Sequence, residues 1–252
     1  MRDRPPALPI RAYRKLRGLI LTSRFKRYTR QIGPDHPFRG FPTRIVSELS
    51  GDPKETLDHY DAFAYWAAAK ISLQQKRLSI LDIGSIKMMN AVLSATHDVV
   101  SLVLADCGDS ISNVRYLIQD VSDGLPFRAR SFDVFTSMAS LNLVGLARYG
   151  DKLDAYALPH LVTELDRVLR RPSTVLISMC LGRNVLCFNN GWFLELETLR
   201  QVFHPWQLKD YLVDNASSPR RSAVATQRFV SDGDTRHSAL GDYRVVFLHF
   251  ER

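Results

Sequence analysis

The stretch Arg77-Leu-Ser-Ile-Leu-Asp-Ile-Gly-Ser85 has the pattern of a buried strand that ends in a sharp turn. A short apolar run between polar residues is typical of a parallel sheet, and Gly84 lets a ligand approach bare backbone. Val99 to Asp106 repeats the pattern and also ends in an acid. Because ligands in open α/β sheets bind outside the carboxyl ends of strands, these stretches predict a nucleoside-type pocket in which Asp106 accepts from ribose hydroxyls. One glycine is a weak signal, so a turn that binds nothing stays open.

Strand and helix patterns alternate along the rest of the chain, which predicts a parallel sheet with helices on both faces. Two late strands without a helix between them, Trp206–Val213 and Tyr243–Phe250, predict a final antiparallel hairpin. The other predicted strands are Leu78–Ile83, Val99–Ala105, Val114–Gln119, Phe132–Ser137 and Thr174–Met179. The predicted helices are Ile10–Arg30, Asp58–Lys70, Lys87–Ser94, Leu153–Leu169 and Glu195–Val202. The second of these helices either covers the pocket mouth or packs on the sheet edge.

The positive charge of the chain is concentrated at its N-terminus. The net charge is +8; residues 1–48 contain 12 Lys and Arg against 3 Asp and Glu, and the rest of the chain contains 22 against 23. This division predicts a basic N-terminal arm and linker over 1–48 and a nearly neutral domain over 49–252. Residues 10–30 are compatible with a helix, and three interpretations of it stay open: it binds an anionic membrane surface, it binds nucleic acid, or it packs on its own domain.

Composition disfavours several classes of protein. The three cysteines, Cys107, Cys180 and Cys187, are odd in number and lack CxxC spacing, which argues against a disulfide framework and a structural zinc site. The histidines have no metal-ligand spacing, so we expect no metal. No apolar run reaches the about 20 residues of a membrane span, and none resembles a signal-peptide core. We therefore expect a cytoplasmic protein, peripheral on the inner face of the membrane if the arm binds lipid.

The element order, with Asp82-Ile-Gly84 after the first strand and Asp106 after the second, resembles the class I S-adenosylmethionine-dependent methyltransferases over roughly residues 75–250. Leu125-Pro-Phe127 followed by Ser131-Phe-Asp-Val134 is similar to the run before the superfamily's fourth strand. The resemblance implies a Rossmann-like α/β fold with a seven-stranded, mostly parallel sheet, and S-adenosylmethionine as cofactor. It implies a cofactor site formed by Asp82, Gly84, Ser85, Asp106, Asp120, Val121 and Ser137.

A closer resemblance is to a domain family of unknown function, first named from nematode sequences and frequent in bacterial surface-polysaccharide gene clusters. The chain shares three pieces of that family's pattern, Asp82-Ile-Gly-Ser85, Gly145-Leu-Ala-Arg-Tyr-Gly-Asp151 and Phe188-Asn189. The second piece is the most specific because it is long and polar. The resemblance implies a sugar or glycan acceptor and a role in surface-polysaccharide biosynthesis.

The departures from that family fall on the positions best suited to proton transfer. Ala139, Asn142 and Leu143 stand where the family has His, Glu and His. A hydroxyl acceptor usually needs a base within hydrogen-bond reach, and the family's imidazoles are missing here. The nearest carboxylates, Asp151 and Asp154, lie in the loop after the fourth strand.

That loop supplies the candidate catalytic residues Asn142, Arg148, Tyr149 and Asp151. Asp151 is the candidate base, Tyr149 the candidate for orienting the acceptor, and Arg148 the candidate for holding a phosphate or carboxylate with its planar fork. The alternative is structural: Asp151 or Asp154 caps the helix predicted to begin near Leu153, and Arg148 pairs with one of them.

Three functions follow from these patterns. The first is S-adenosylmethionine-dependent methyl transfer to a sugar or glycan. The second is a catalytically degenerate methyltransferase-like protein that serves as partner or scaffold for an active homologue with the imidazoles intact. The third is nucleic-acid methylation, favoured by the basic arm alone, and nucleic acid is the least favoured partner because the domain is nearly neutral.

Overall fold

The computed structural model describes residues 10–45, 59–106, 108, 112–214, 229–230 and 244–252. Its helices are α1 (Ile10–Gln31), α2 (His59–Ser72), α3 (Lys87–Leu93), α4 (Ala157–Val168) and α5 (Leu196–Val202). Its strands are β1 (Thr43–Ile45), β2 (Ser79–Ile83), β3 (Asp98–Val103), β4 (Arg115–Ile118), β5 (Phe132–Met138), β6 (Leu169–Leu181), β7 (Val185–Phe188), β8 (Gly191–Phe193), β9 (Gln207–Asp214), β10 (Phe229–Val230) and β11 (Arg244–Glu251). Cys107 and most of the loop between the last two predicted strands lie outside the described residues.

The main sheet has the strand order β10-β9-β11-β6-β5-β2-β3-β4. Strands β2 to β6 pair in parallel, whereas β11 lies antiparallel between β6 and β9. The seven longer strands confirm the predicted mostly parallel sheet and its C-terminal antiparallel hairpin, and β10 adds a two-residue edge strand. The carboxyl ends of β2 to β6 therefore meet along one edge of the sheet, where open α/β proteins bind ligands.

Apolar side chains cover both faces of the main sheet. Successive side chains of a strand point to opposite faces, and Ile80 and Leu81 of β2 accordingly belong to two different buried clusters. The Ile80 cluster contains Phe63 of α2, so α2 packs on the sheet as one of its two predicted placements requires. The Leu81 cluster contains Leu158 and Leu165, which lie seven residues apart on one face of α4. These two clusters are the core on which the candidate site is built.

The N-terminal segment contributes to that core through an aromatic cluster. Phe25, Tyr28 and Ile32 recur at helical spacing and pack against the core. Tyr28 and Trp192 are each only 1% exposed, and the Trp192 Nε1–H donates to the Tyr28 hydroxyl at 3.0 Å. Phe38 lies against Trp192 with a ring-centroid distance of 4.5 Å. Residues after α1 also form β1, which pairs with β7 in a second, three-stranded sheet of order β1-β7-β8.

Hydrogen bonds tie the same N-terminal segment to the loop between β5 and α4. These bonds join residues more than 115 positions apart: Arg24 Nη1 to Ala147 O (2.9 Å), Gln31 Nε2 to Leu153 O (3.3 Å), Ala155 N to Gln31 Oε1 (2.9 Å), Gly33 N to the Tyr156 hydroxyl (3.2 Å), and His36 Nε2 to Ala155 O (2.6 Å). The segment therefore clamps a loop that contains candidate catalytic residues.

No helix in the described part of the chain is long and apolar enough to span a bilayer.

Helix α4 begins at Ala157 rather than near Leu153 as the sequence pattern predicts. The four residues assigned to its first turn instead belong to the clamped loop. Strand β6 is longer than predicted, and the predictions contain none of the three strands of the small sheet.

Candidate active site

Gly84 forms the turn at the carboxyl end of β2 and needs to be glycine. Its φ is +72°, a left-handed conformation that side chains disfavour. A Cβ at this position would lie 2.1 Å from Ser140 Oγ, and that hydroxyl donates to the Gly84 carbonyl at 3.1 Å. The predicted turn is therefore packed closely against the residue that follows β5.

Asp82 lies beneath this turn, fully buried. Its carboxylate accepts hydrogen bonds from Thr136 Oγ1 (2.9 Å), Ser101 Oγ (2.9 Å) and Asn90 Nδ2 (2.8 Å), and a longer one from Ser85 N (3.4 Å). Burial raises the pKa of Asp82, and these hydrogen bonds act in the opposite direction. Because its donors come from β5, β3 and α3, Asp82 joins the elements around the turn and does not line the cavity described next.

A cavity of about 530 Å³ opens at the carboxyl edge of the main sheet. One part of its lining, called here the strand end, lies at the carboxyl ends of β2, β3 and β4 and includes Ile83, Gly84, Leu102, Leu104, Asp120 and Val121. The other part, called the loop end, includes Asn142, Leu143, Arg148, Tyr149, Asp151, Asn190 and Phe193. Met138, the last residue of β5, also lines the cavity, and β5 pairs with β2 beside the strand end. Neither Ile86 nor Met88, which follow Gly84 closely in the chain, belongs to the lining.

Asp120 and Val121 form one wall of the strand end. The Asp120 carboxylate accepts from Ser122 N at 2.9 Å and from Lys152 N at 2.7 Å, while the Val121 side chain is buried. The bond to Lys152 connects this wall to the loop after β5. An apolar surface next to a carboxylate is thus present at two of the positions that the resemblance implies for the cofactor site.

Four of the seven residues implied as cofactor ligands lie outside the cavity lining, namely Asp82, described above, and the three that follow. Asp106 is exposed, and its carboxylate accepts from Gly108 N at 2.9 Å. The buried Ser137 hydroxyl donates to the Ile83 carbonyl at 2.7 Å and joins β5 to β2. Ser85 points its backbone N–H at Asp82. The structure thus brings Gly84, Asp120 and Val121 together at the cavity, and contact between Asp106 and a ribose stays a prediction.

Asp151 organises the loop end through backbone hydrogen bonds. Its carboxylate accepts from the N–H groups of Gly145, Ala147 and Tyr149, each at 3.1 Å. A Cβ on Gly145 would lie 2.0 Å from the Asp154 carbonyl, so the loop closes tightly on itself. Neither aspartate caps α4, whose N-terminus has no side-chain cap. The interpretation of these aspartates as caps of α4 is therefore wrong, and Asp151 instead holds its own loop.

Arg148 and Tyr149 form the outer wall of the loop end. Arg148 Nη1 donates to the Asn189 carbonyl at 2.7 Å, and its guanidinium lies 5.1 Å from the centroid of the Tyr149 ring. Tyr149 is 63% exposed at the cavity mouth. Among the contacts that the structure gives for Arg148, the one with Asn189 ties this wall to the turn between β7 and β8.

Asn142 is buried at the inner side of the loop end. Its Nδ2 lies 3.5 Å from the Asn190 carbonyl, and a Cβ on Gly191 would lie 2.4 Å from the same nitrogen. Asn142 therefore packs directly against the β7–β8 turn, next to Gly191-Trp192, which stands where the resembled family has His-Arg. Within the described ranges its Oδ1 accepts no hydrogen bond.

Sequence patterns did not indicate several residues of the lining. His59 and Tyr60, at the start of α2, line the cavity with their rings 4.1 Å apart, so α2 both packs on the sheet and reaches the cavity. Tyr60 precedes the first predicted strand and also resembles the nematode-named family, whereas nothing in the sequence indicated His59. Cys180 also lines the cavity, and burial raises the pKa of its thiol to about 12, which keeps the thiol neutral and a poor nucleophile. In the described ranges, no group of three His, Cys, Asp or Glu side chains is placed to hold a metal ion.

The strand order, the antiparallel strand β11 between β6 and β9, and the cavity at the carboxyl edge define a Rossmann-like methyltransferase fold. The chain matches no protein-family model and no curated protein. Among solved structures, it is similar to the N-methyltransferase NodS from Bradyrhizobium japonicum, crystallised with S-adenosyl-L-homocysteine, with a TM-score of 0.51 and 11% identity over 90% of this chain and 97% of that chain. It is also similar to the [4+2]-cyclase SpnF, with a TM-score of 0.54 and 11% identity over 86% and 91%. At such identities these likenesses establish the fold, and the reaction needs a separate argument.

Proposed function

We propose that the chain transfers a methyl group from S-adenosylmethionine to a hydroxyl group of a sugar or glycan acceptor. The observation that carries the proposal is one continuous cavity of about 530 Å³ that includes both the strand end and the loop end. A volume of this size is typical of small-molecule sites. One cavity thus offers space for a cofactor beside Gly84 and for an acceptor beside Tyr149.

The strand end suits the cofactor. Leu102 and Leu104 give it an apolar wall, Val121 and Asp120 offer an apolar surface and an acceptor for the adenine, and Gly84 lines the space for the methionine part. The cofactor supplies a methyl group already activated on a sulfonium. The likeness to NodS, crystallised with S-adenosyl-L-homocysteine, supports this choice of cofactor.

The loop end suits a polar acceptor with one apolar face. Tyr149 offers a ring for a sugar face, Asn190 offers amide groups for hydroxyls, and Arg148 offers a positive charge for a phosphate or carboxylate on the acceptor. Phe193 and Leu143 supply the apolar part of the wall. The choice of a surface glycan rests on the resemblance of Gly145–Asp151 to the nematode-named family, which is an argument by association.

The protein's contribution to methyl transfer is then mainly orientation. In-line displacement gains most from holding the two reactants in a near-attack geometry. Asp151, whose carboxylate accepts three backbone N–H groups, holds the loop that carries Arg148 and Tyr149. We infer that Asp151 positions the acceptor through this loop rather than taking its proton. The hydroxyl proton then passes to solvent at the cavity mouth, and S-adenosylhomocysteine is the leaving group.

A specific observation favours a second candidate, a catalytically degenerate partner or scaffold for an active homologue. The two carboxylates of the described lining, Asp120 and Asp151, both accept backbone N–H groups, and the family's imidazole positions hold Ala139 and Leu143. This hypothesis predicts no turnover with any acceptor and a stable complex with a related protein that keeps the imidazoles.

Calorimetry with S-adenosyl-L-homocysteine tests the proposed cofactor site. Leu104 follows β3 in the cavity lining and is partly exposed, so Leu104→Trp should fill the strand end and weaken binding at least about tenfold. Ile118→Trp is the matched control, because Ile118 is an exposed residue of the neighbouring β4 outside the lining. If the unmodified protein gives no heat of binding at millimolar ligand, the cofactor proposal is wrong and the scaffold hypothesis is favoured. Equal affinities of the two variants would place the ligand elsewhere.

A further inference from the structure

The second half of α1 presents a basic face to solvent while its opposite face packs on the core. Phe25, Tyr28 and Ile32 point inward. Lys26, Arg27 and Arg30 are exposed on the other side. Residues 19–31 contain four basic residues and no acidic ones. Packing on the domain and binding an anionic partner, which the sequence leaves as alternatives, are therefore compatible in this helix.

This basic face adjoins the mouth of the cavity. Ile20, Arg24 and Arg27 are spaced four and three residues apart, so they lie on one side of the helix. Arg24 Nη1 donates to the carbonyl of Ala147, which is two residues from the exposed Tyr149. The helix and the loop end of the cavity thus share one edge of the molecule.

Exposed apolar side chains accompany the basic residues along this edge. Leu19 is 62% exposed, Ile20 is 46% exposed and Tyr149 is 63% exposed. Basic residues interspersed with aliphatic side chains and a tyrosine match the membrane interface, where cations meet anionic headgroups and tyrosine sits at headgroup level. Binding to single-stranded nucleic acid would call for several stacking aromatic rings instead.

We propose that this edge, defined by Leu19, Ile20, Lys26, Arg27, Arg30 and Tyr149, docks the protein on an anionic lipid membrane with the cavity mouth facing the headgroups. An anionic membrane is the partner that fits this edge, because it complements the basic charges and also accepts the exposed aliphatic side chains. The docking is independent of the reaction proposed for the cavity, so each is tested without the other.

Vesicle binding tests the electrostatic part. The triple variant Lys26→Gln, Arg27→Gln, Arg30→Gln should bind vesicles of phosphatidylglycerol and phosphatidylcholine on the order of 100-fold more weakly, since each base near an anionic surface contributes about fivefold. The full chain is needed, because deleting the N-terminal segment would remove Tyr28 and Phe38 from the core.

A matched triple variant controls for net charge. Lys76→Gln, Arg128→Gln, Lys209→Gln removes three exposed charges near the amino ends of β2, β5 and β9, away from the cavity. It should bind vesicles like the unmodified protein. Equal losses in the two triple variants, or tighter binding to a single-stranded oligonucleotide than to vesicles, would overturn the proposal.

Fluorescence tests the orientation. Tyr149→Trp places a reporter at the cavity mouth, and Leu73→Trp places one at an exposed residue before the amino end of β2. After subtraction of the signal from the native tryptophans, brominated phosphatidylglycerol should quench the residue at 149 at least several-fold more than that at 73. The reverse order would overturn the orientation. Calorimetry with S-adenosyl-L-homocysteine on the same variants shows separately whether the cavity binds its ligand.

Discussion

Two aspartates, one beneath the strand end of the cavity and one in its loop end, are held by different kinds of hydrogen bond. Asp82, under the strand end, is fully buried and accepts side-chain hydrogen bonds from Asn90, Ser101 and Thr136 on three other elements. Asp151, at the loop end, is partly exposed and accepts only backbone N–H groups from its own loop among the bonds that the structure gives it. Burial of Asp82 therefore couples it to global stability, whereas Asp151 governs local shape.

The difference extends to what supports each end. The strand end is part of the sheet, so folding of the core fixes it. The loop end depends on a segment more than 115 residues earlier, through bonds such as those of Arg24 to Ala147 and of His36 to Ala155. Changes at the strand end should therefore affect stability, and changes at the loop end should affect the acceptor and local order.

The largest expected effect comes from breaking the strand end with Asp82→Ala. Three buried donors would lose their acceptor, at about 1–3 kcal/mol each, so the free energy of unfolding should fall by about 3–9 kcal/mol. Urea unfolding followed by circular dichroism measures it. Ser101→Ala removes one donor from the same network and should cost only about 1 kcal/mol. If the two variants are equally mild, Asp82 is not the centre of this network.

At the loop end, Asp151→Asn sharpens the comparison by separating positioning from proton transfer. An amide keeps one oxygen for the backbone N–H groups, so we expect methyl transfer within about tenfold of the unmodified rate. Loss of a general base would cost about 10²–10⁴-fold. The measurement is transfer of labelled methyl to a glycan acceptor, with S-adenosyl-L-homocysteine affinity as the control. A loss of the larger size with unchanged affinity would show that Asp151 is the base.

The sequence predicts the strand end far better than the loop end, for physical reasons. Strands β2 to β5 are short apolar runs with local turn signals, and the observed bounds agree with prediction to within about two residues. The small sheet is different, because Thr43–Ile45 pairs with residues more than 140 positions later, and neither short run carries a signal for its partner. The aromatic contact between Tyr28 and Trp192 is equally non-local.

The misplaced start of α4 has a related cause. An aspartate before an apolar helical pattern resembles an N-cap in sequence, and both Asp151 and Asp154 stand in such positions. In the structure Asp151 bonds back to three earlier N–H groups, and Asp154 accepts from Tyr156 N at 2.9 Å. Left-handed conformations at Gly145, Ala147 and Gly150 allow this loop, and only the two glycines signal such conformations in a sequence.

The smallest expected effect probes the clamp between the N-terminal segment and the loop end through pH. His36 is buried, its Nδ1 accepts from Phe38 N at 3.1 Å, and its Nε2–H donates to the Ala155 carbonyl. Burial lowers the pKa of His36, although its bond to Ala155 and the charge of Asp154 act in the opposite direction. Protonation of His36 at Nδ1 would also place an N–H opposite the Phe38 N–H, so this hydrogen bond would be lost.

The sign of the resulting pH dependence follows from linkage. Above the unfolded pKa of about 6.5, His36 is neutral in both states and the clamp contributes fully. As the pH falls below that value, the unfolded chain binds a proton that the folded chain excludes, so the free energy of unfolding decreases. His97 and His249, whose pKa values burial also lowers, add to the same trend.

Urea unfolding between pH 7.5 and 5.5 should therefore show a free energy of unfolding that falls with pH, and His36→Asn should reduce this slope, since asparagine keeps an acceptor near Phe38 without titrating. His160→Asn changes an exposed histidine and should leave the slope as it is. Parallel curves for the unmodified protein and His36→Asn would mean that the clamp does not respond to pH through this imidazole.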